Sequence, residues 1–71
     1  MKYYLQLNDI GGYLRFHAGE GEITRKISEA YMFGDPKSAR RAARMRKYMG
    51  RDIIVQAITH EELFKAKLAG K

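Results

Sequence analysis

His17 and His60 are the only two histidines in this 71-residue chain, and histidine is the side chain on which general acid–base chemistry near neutral pH is most readily built. His17 stands two residues beyond Arg15, and a histidine beside a cation can cleave RNA in the manner of a nuclease toxin. His60 begins a predicted helix next to Glu61, where a solvent-facing role is expected. The two histidines fall on different predicted elements, so they assemble neither a metal site nor a catalytic triad. With no cysteine in the chain, a thiolate metal site and a disulfide framework are also excluded. Gly19 and Gly21 flank Glu20 but lack the Lys and Ser or Thr that follow in a phosphate-cradling loop, and they read as turn residues. No pair of groups with opposed acid and base roles can be placed. The expectation is a protein that is not an enzyme, with no catalytic residues, metal or cofactor.

The charged residues carry more information. Fourteen Lys and Arg stand against eight Asp and Glu, a formal charge of +6, and on so small a surface this favours polyanionic partners. The cations are clustered. At helical spacing Lys37, Arg40, Arg41, Arg44, Lys47 and Tyr48 gather on one side of a predicted helix, while Ala39, Ala42, Ala43, Met45 and Met49 gather on the other. Arg46 falls within the apolar arc, where its stem can lie along the core edge. The outer face has no acid. A helix that only needs solubility usually interleaves both signs, because like charges four apart oppose one another. The reading is a dock for nucleic acid, nucleoprotein or an acidic protein surface, weighed against a merely solvated basic face. A second candidate is the open side of the predicted sheet, with Tyr4, Gln6, Tyr13, Arg15, His17, Thr24 and Lys26, since aromatics mixed with cations can stack on bases and hold phosphates.

The elements that must position these residues follow from period and turn chemistry. Tyr3, Leu5 and Leu7 alternate as in a strand with one buried face, and Asn8, Asp9, Gly11 and Gly12 allow reversal into a second strand from Tyr13 to His17. Glu22–Ser28 reads as a third, weaker strand, in which Arg25 shares a face with Ile23 and Ile27, either near an edge or beside a bulge. Asp35 as cap, Pro36 at the first helical position and Gly50 beyond the end predict a main helix over Pro36–Met49. Asp52–Ile58 is apolar on both faces and predicts a strand that is central or covered twice. Thr59, His60, Glu61 and Glu62 form a capping-box pattern that opens a short helix over 60–69 carrying Leu63, Phe64 and Leu68, ending at Gly70.

The expected fold class is therefore α+β, in the order β-β-β-α-β-α, with an antiparallel-rich sheet of three or four strands on one main helix. One domain over 1–71, with its core in 2–58, fits the length. If the second helix fails to cover the sheet, Ile54 and Ile58 would leave an apolar patch open to a homodimer or a protein partner. No apolar run approaches the roughly 20 residues that span a bilayer, and the N-terminus lacks a basic stretch followed by an apolar segment. The expectation is no membrane association and a cytoplasmic location, which the absence of cysteine suits.

Two resemblances follow from these residues. The hairpin with Gly12, Tyr13 and Leu14, followed by Ser28, Glu29, Ala30, Phe33 and a helix containing Ala39, resembles many short phage and prophage proteins over residues 2–58. That resemblance implies an accessory factor acting on host or anti-phage machinery, anti-CRISPR inhibitors being one such class. Phe33, Asp35, Ala39, Ala42 and Ala43 are also similar to the sheet-to-helix junction of the three-strand-plus-helix DNA-binding domain of phage integrase arms and plant ethylene-response factors. There the sheet enters the major groove, which implies Arg15, His17, Arg25 and Lys26 as readers. The fourth strand and second helix depart from that family, and the densest charge here lies on the helix.

Overall fold

The computed structural model describes residues 1–17, 19–45, 48 and 50–71, and for His17 the backbone alone. Arg46, Lys47 and Met49, which the sequence assigns to the main helix, lie outside the described residues. The architecture is the expected α+β arrangement of a four-stranded antiparallel sheet with two helices. Strands β1 (Lys2–Leu7), β2 (Gly12–His17), β3 (Glu20–Thr24) and β4 (Ile53–Ile58) are ordered β3-β2-β1-β4. A 3₁₀ turn, Ile27–Glu29, and helix α1, Pro36–Ala43, separate β3 from β4, and helix α2, His60–Leu68, follows it.

The alternation in β1 places Leu5 and Leu7 on one face and Tyr4 on the other, and each face has its own apolar cluster. On the first, Leu5, Leu7 and Leu14 are almost completely buried with Phe33, Ala39 and Tyr48, and Ile53 and Val55 pack against them. On the second, Tyr4, Ile58 and Ala30 are buried, with Tyr13, Ile27, Met32 and Leu63 around them. β4 contributes to both clusters, Ile53 and Val55 to the first and Ile58 to the second, although it is an edge strand and not a central one. Ile58 is only 5% exposed, because Leu63 of α2 packs over it, so Ile54 and Ile58 do not form the open apolar patch considered above. The expected trio of α2 divides: Leu63 packs inward, whereas Phe64 and Leu68 are exposed.

β1 and β2 pair only at Gln6–Tyr13 and Leu7–Gly12, and then part. The segment Tyr31–Phe33 enters the gap. Tyr3 and Phe33 exchange both backbone hydrogen bonds, at 3.0 and 2.7 Å, and the Tyr31 N–H donates to the Leu14 carbonyl at 2.9 Å. Edge-to-face contacts of Tyr31 with Phe16 and Phe33, at 5.0 and 4.8 Å, close this wedge. The third strand begins at Glu20 and ends at Thr24, earlier than the expected Glu22–Ser28. That shift resolves the Arg25 conflict, since Arg25 follows the strand, and Ile27 belongs to the 3₁₀ turn and the second cluster.

The main helix starts as its sequence directs. Asp35 accepts from the Ser38 N–H at 2.8 Å and from the Ser38 hydroxyl at 3.0 Å, with Pro36 in the first turn. It ends at Ala43, not at Met49. The Arg44 and Met45 N–H groups bond three residues back, to Arg41 and Ala42, and Met45 is exposed. The cause is Tyr48. A continuous helix would hold Tyr48 on the side of Arg41 and Arg44, in water; instead its side chain is 4% exposed, within the first cluster. Burying a large side chain contributes about 1.5–3 kcal/mol, whereas another turn bearing mostly cations gains little against like-charge repulsion of a few tenths of a kcal/mol per pair.

α2 shows the predicted capping box. The Thr59 hydroxyl accepts from the Glu62 N–H at 3.1 Å, and the Glu62 carboxylate accepts from the Thr59 N–H at 3.0 Å. It closes in a Schellman motif, with the Gly70 N–H bonded to Lys67 and the Lys71 N–H to Ala66, and Gly70 at φ 71°. Among the described residues no helix is long and apolar enough to cross a membrane.

The hydroxyl end of Tyr48 abuts Gly21, and a methyl group there would collide with the phenol oxygen. Gly21→Ala is therefore expected to destabilise the fold by about 1–3 kcal/mol, the usual cost of overpacking, read as a lowered thermal midpoint in circular dichroism.

Candidate polyanion-binding surface

The rotational setting of α1 is fixed by its three alanines. Ala39 is fully buried and Ala42 and Ala43 half-buried against the sheet, so the residues between them must point to solvent. Lys37, Arg40, Arg41 and Arg44 are all exposed, and together they line one shallow, solvent-open depression of about 370 Å³. Tyr48, expected on this face, is buried on the opposite side of the break, and Lys47 lies outside the described residues. Among the described residues the face thus holds four of its expected members.

Among the described residues, none of these four cations is in an ion pair. Six of the eight acids are engaged elsewhere: Glu22 and Glu29 with Arg15, Asp9 with Arg51, Glu61 with Lys65, and Asp35 and Glu62 in helix caps. Helix polarity accounts for part of the cluster, since Arg40 and Arg41 lie in the last turn, where the negative end of the dipole favours them. It does not account for Lys37, which sits in the first turn, where that dipole opposes a cation. The Asp35 carboxyl lies below its ordinary range, chiefly because the Ser38 N–H and then its hydroxyl bond the ionised form, with a smaller contribution from the Arg41 charge.

Arg51, which the sequence reading missed, extends the cationic surface. It donates to Asp9 at 2.7 Å and lines a second depression with Arg40, Ala43, Arg44 and the first residues of β4. Its number follows Gly50 and precedes the strand, a position that carries no periodic signal; only the return of the chain beneath α1 brings it there.

The sheet-side candidates are not brought to one open face. Tyr4 is 9% exposed, in edge-to-face contact with Tyr13 at 5.6 Å, and its phenol is pushed above the ordinary value mainly by burial. Thr24 is buried, donating to Glu29 at 2.8 Å. Arg15 lies between Glu22 at 3.2 Å and Glu29 at 3.7 Å. The Gln56 and Gln6 amides pair with each other at 3.3 Å. Lys26 is exposed at the start of the 3₁₀ turn, and the His17 side chain is outside the described residues. His60 is exposed at the start of α2. Among the described residues no three His, Asp or Glu side chains converge as a metal site would require. Compared with protein-family models, curated proteins and solved structures, the chain matches none.

Because Asp35 caps the helix that carries the cations, its ionisation should be linked to stability. A folded pKa below the unfolded value gives stability that is present above the unfolded pKa and lost as pH falls through the folded one. Asp35→Ala should lower the thermal midpoint at neutral pH, and the difference from wild type should shrink in acid below the ordinary carboxylate range, as measured by melts across pH.

Proposed function

We propose that this chain is a non-enzymatic docking module that binds a polyanion, nucleic acid or nucleoprotein, through Lys37, Arg40, Arg41 and Arg44. The observation that carries the reading is the gathering of these four side chains on one depression without a paired carboxylate among the described residues. Four like charges held within two helical turns repel one another, and a row of phosphates would offset that repulsion while releasing condensed counterions. The resemblance to short phage proteins supplies a setting: a small accessory factor in a bacterial cytosol that docks on a nucleoprotein such as a CRISPR effector. The sheet-reading alternative is less favoured, because Tyr4 is buried and Arg15 already has two carboxylate partners.

Replacing Arg40, Arg41 and Arg44 together with Glu should abolish binding to duplex or single-stranded probes while leaving the circular dichroism spectrum unchanged, since these positions bury nothing. Arg25→Glu with Lys26→Glu, exposed after β3, should matter much less. If all four cations meet duplex phosphates, log affinity should fall with log salt at a slope near −3.6, from about −0.9 per phosphate neutralised. Labelled RNA and DNA should remain intact throughout. Loss of binding in the Arg25/Lys26 variant with the triple variant unaffected would reverse the assignment.

A further inference from the structure

The two edges of the sheet differ. β3 carries Glu20 and Glu22, whose charges oppose the approach of another strand, and it is short. β4 reads Ile-Ile-Val-Gln-Ala-Ile, six residues without a charge, proline or glycine. Such a strand lacks the usual devices that prevent edge pairing.

Its backbone polarity can be assigned residue by residue. β1 and β4 pair in the register Tyr4–Gln56 and Leu5–Val55, and the Asn8 N–H donates to the Asp52 carbonyl in the same register. Hydrogen-bonded pairs alternate in an antiparallel ladder, so Ile54, Gln56 and Ile58 bond to β1. Val55 and Ala57 therefore direct their N–H and C=O groups away from β1, toward the free edge. Neither takes part in any other backbone hydrogen bond among the described residues. The side chains flanking that edge are small or apolar, and Ala57 is exposed.

We propose that the β4 edge pairs antiparallel with the β4 edge of a second copy, centred on Gln56, to form a two-fold dimer with one continuous eight-stranded sheet. In this register Val55 faces Ala57 of the other copy and exchanges both backbone bonds with it, and the symmetry repeats the exchange, giving four hydrogen bonds. Gln56 meets its own symmetry mate in the intervening non-hydrogen-bonded pair, and Ile54 meets Ile58. The strand is thus self-complementary about its fifty-sixth residue, which argues for a second copy over an unrelated extended peptide. A two-fold axis normal to the sheet leaves both α1 helices on the same side. The pairing itself does not rest on what α1 binds.

The absence of cysteine makes the test direct. Non-hydrogen-bonded cross-strand partners stand about 4.5 Å apart at Cα, within disulfide reach. Gln56→Cys should therefore form a covalent dimer under mild oxidation, whereas Glu22→Cys on the other edge should form far less. Sedimentation velocity of the wild type should move from one to two chain masses as concentration rises. Ala57→Pro removes an outward N–H that the fold does not use, and Ala57→Lys places a charge at the seam; both should remain at one chain mass with an unchanged circular dichroism spectrum. A wild type at one chain mass at every concentration, cross-linking of Gln56→Cys no greater than of Glu22→Cys, or folded Ala57 variants that still dimerise would each overturn the proposal.

Discussion

The buried side chain of Tyr48 ends with its hydroxyl against β3, at Gly21, where any side chain would collide with it. The sheet is roofed on this side by two pieces, α1 over β1 and β4, and the ring of Tyr48 at Gly21 of β3 beside Leu14. One straight helix could not supply both, because Tyr48 lies on its cationic side. The break after Ala43 follows from that geometry. It confines the cationic face to two turns and returns the chain toward β4, bringing Arg51 beside Arg40 and Arg44. The composition of the candidate surface is thus a consequence of one buried ring.

The second determinant is the position of β1 inside the sheet, with large side chains buried on both of its faces. Leu5 and Leu7 serve the α1 side and Tyr4 serves the α2 side. A two-sided central strand requires two roofs, which explains why so short a chain forms a second helix and a 3₁₀ turn. It also explains the parting of β1 and β2: Phe33 is needed in the first cluster and Met32 in the second, and the Tyr31–Phe33 segment reaches both by threading between the strands.

Much of this was legible in the residues. Caps are local chemistry, so Asp35–Pro36, Thr59–Glu62 and Gly70 marked their helix ends correctly, and strand period placed Leu5, Leu7 and Leu14 in the core. The failures were tertiary. The end of α1 depended on a contact between Tyr48 and Gly21, twenty-seven positions apart in the sequence, and no helical pattern can reveal a ring that leaves the helix. The sheet face looked open because Tyr4 and Thr24 resemble solvated strand residues; Ile27, Ala30, Met32 and Leu63, arriving from elsewhere, cover that side. Lys37, Arg40, Arg41 and Arg44 were legible because exposure follows directly from their angular distance to Ala39.

The order β3-β2-β1-β4 also bears on how the protein is made. Vectorial synthesis delivers β1, β2 and β3 first, and then α1, whose floor is formed by β1 and β4. Lys2 waits for Ile58, so one flank of β1 stays bare until β4 has been made. Closing so long a loop is slow relative to forming the hairpins. During that interval Leu5 and Leu7 belong to an unfinished sheet, the kind of intermediate in which intermolecular association competes with folding.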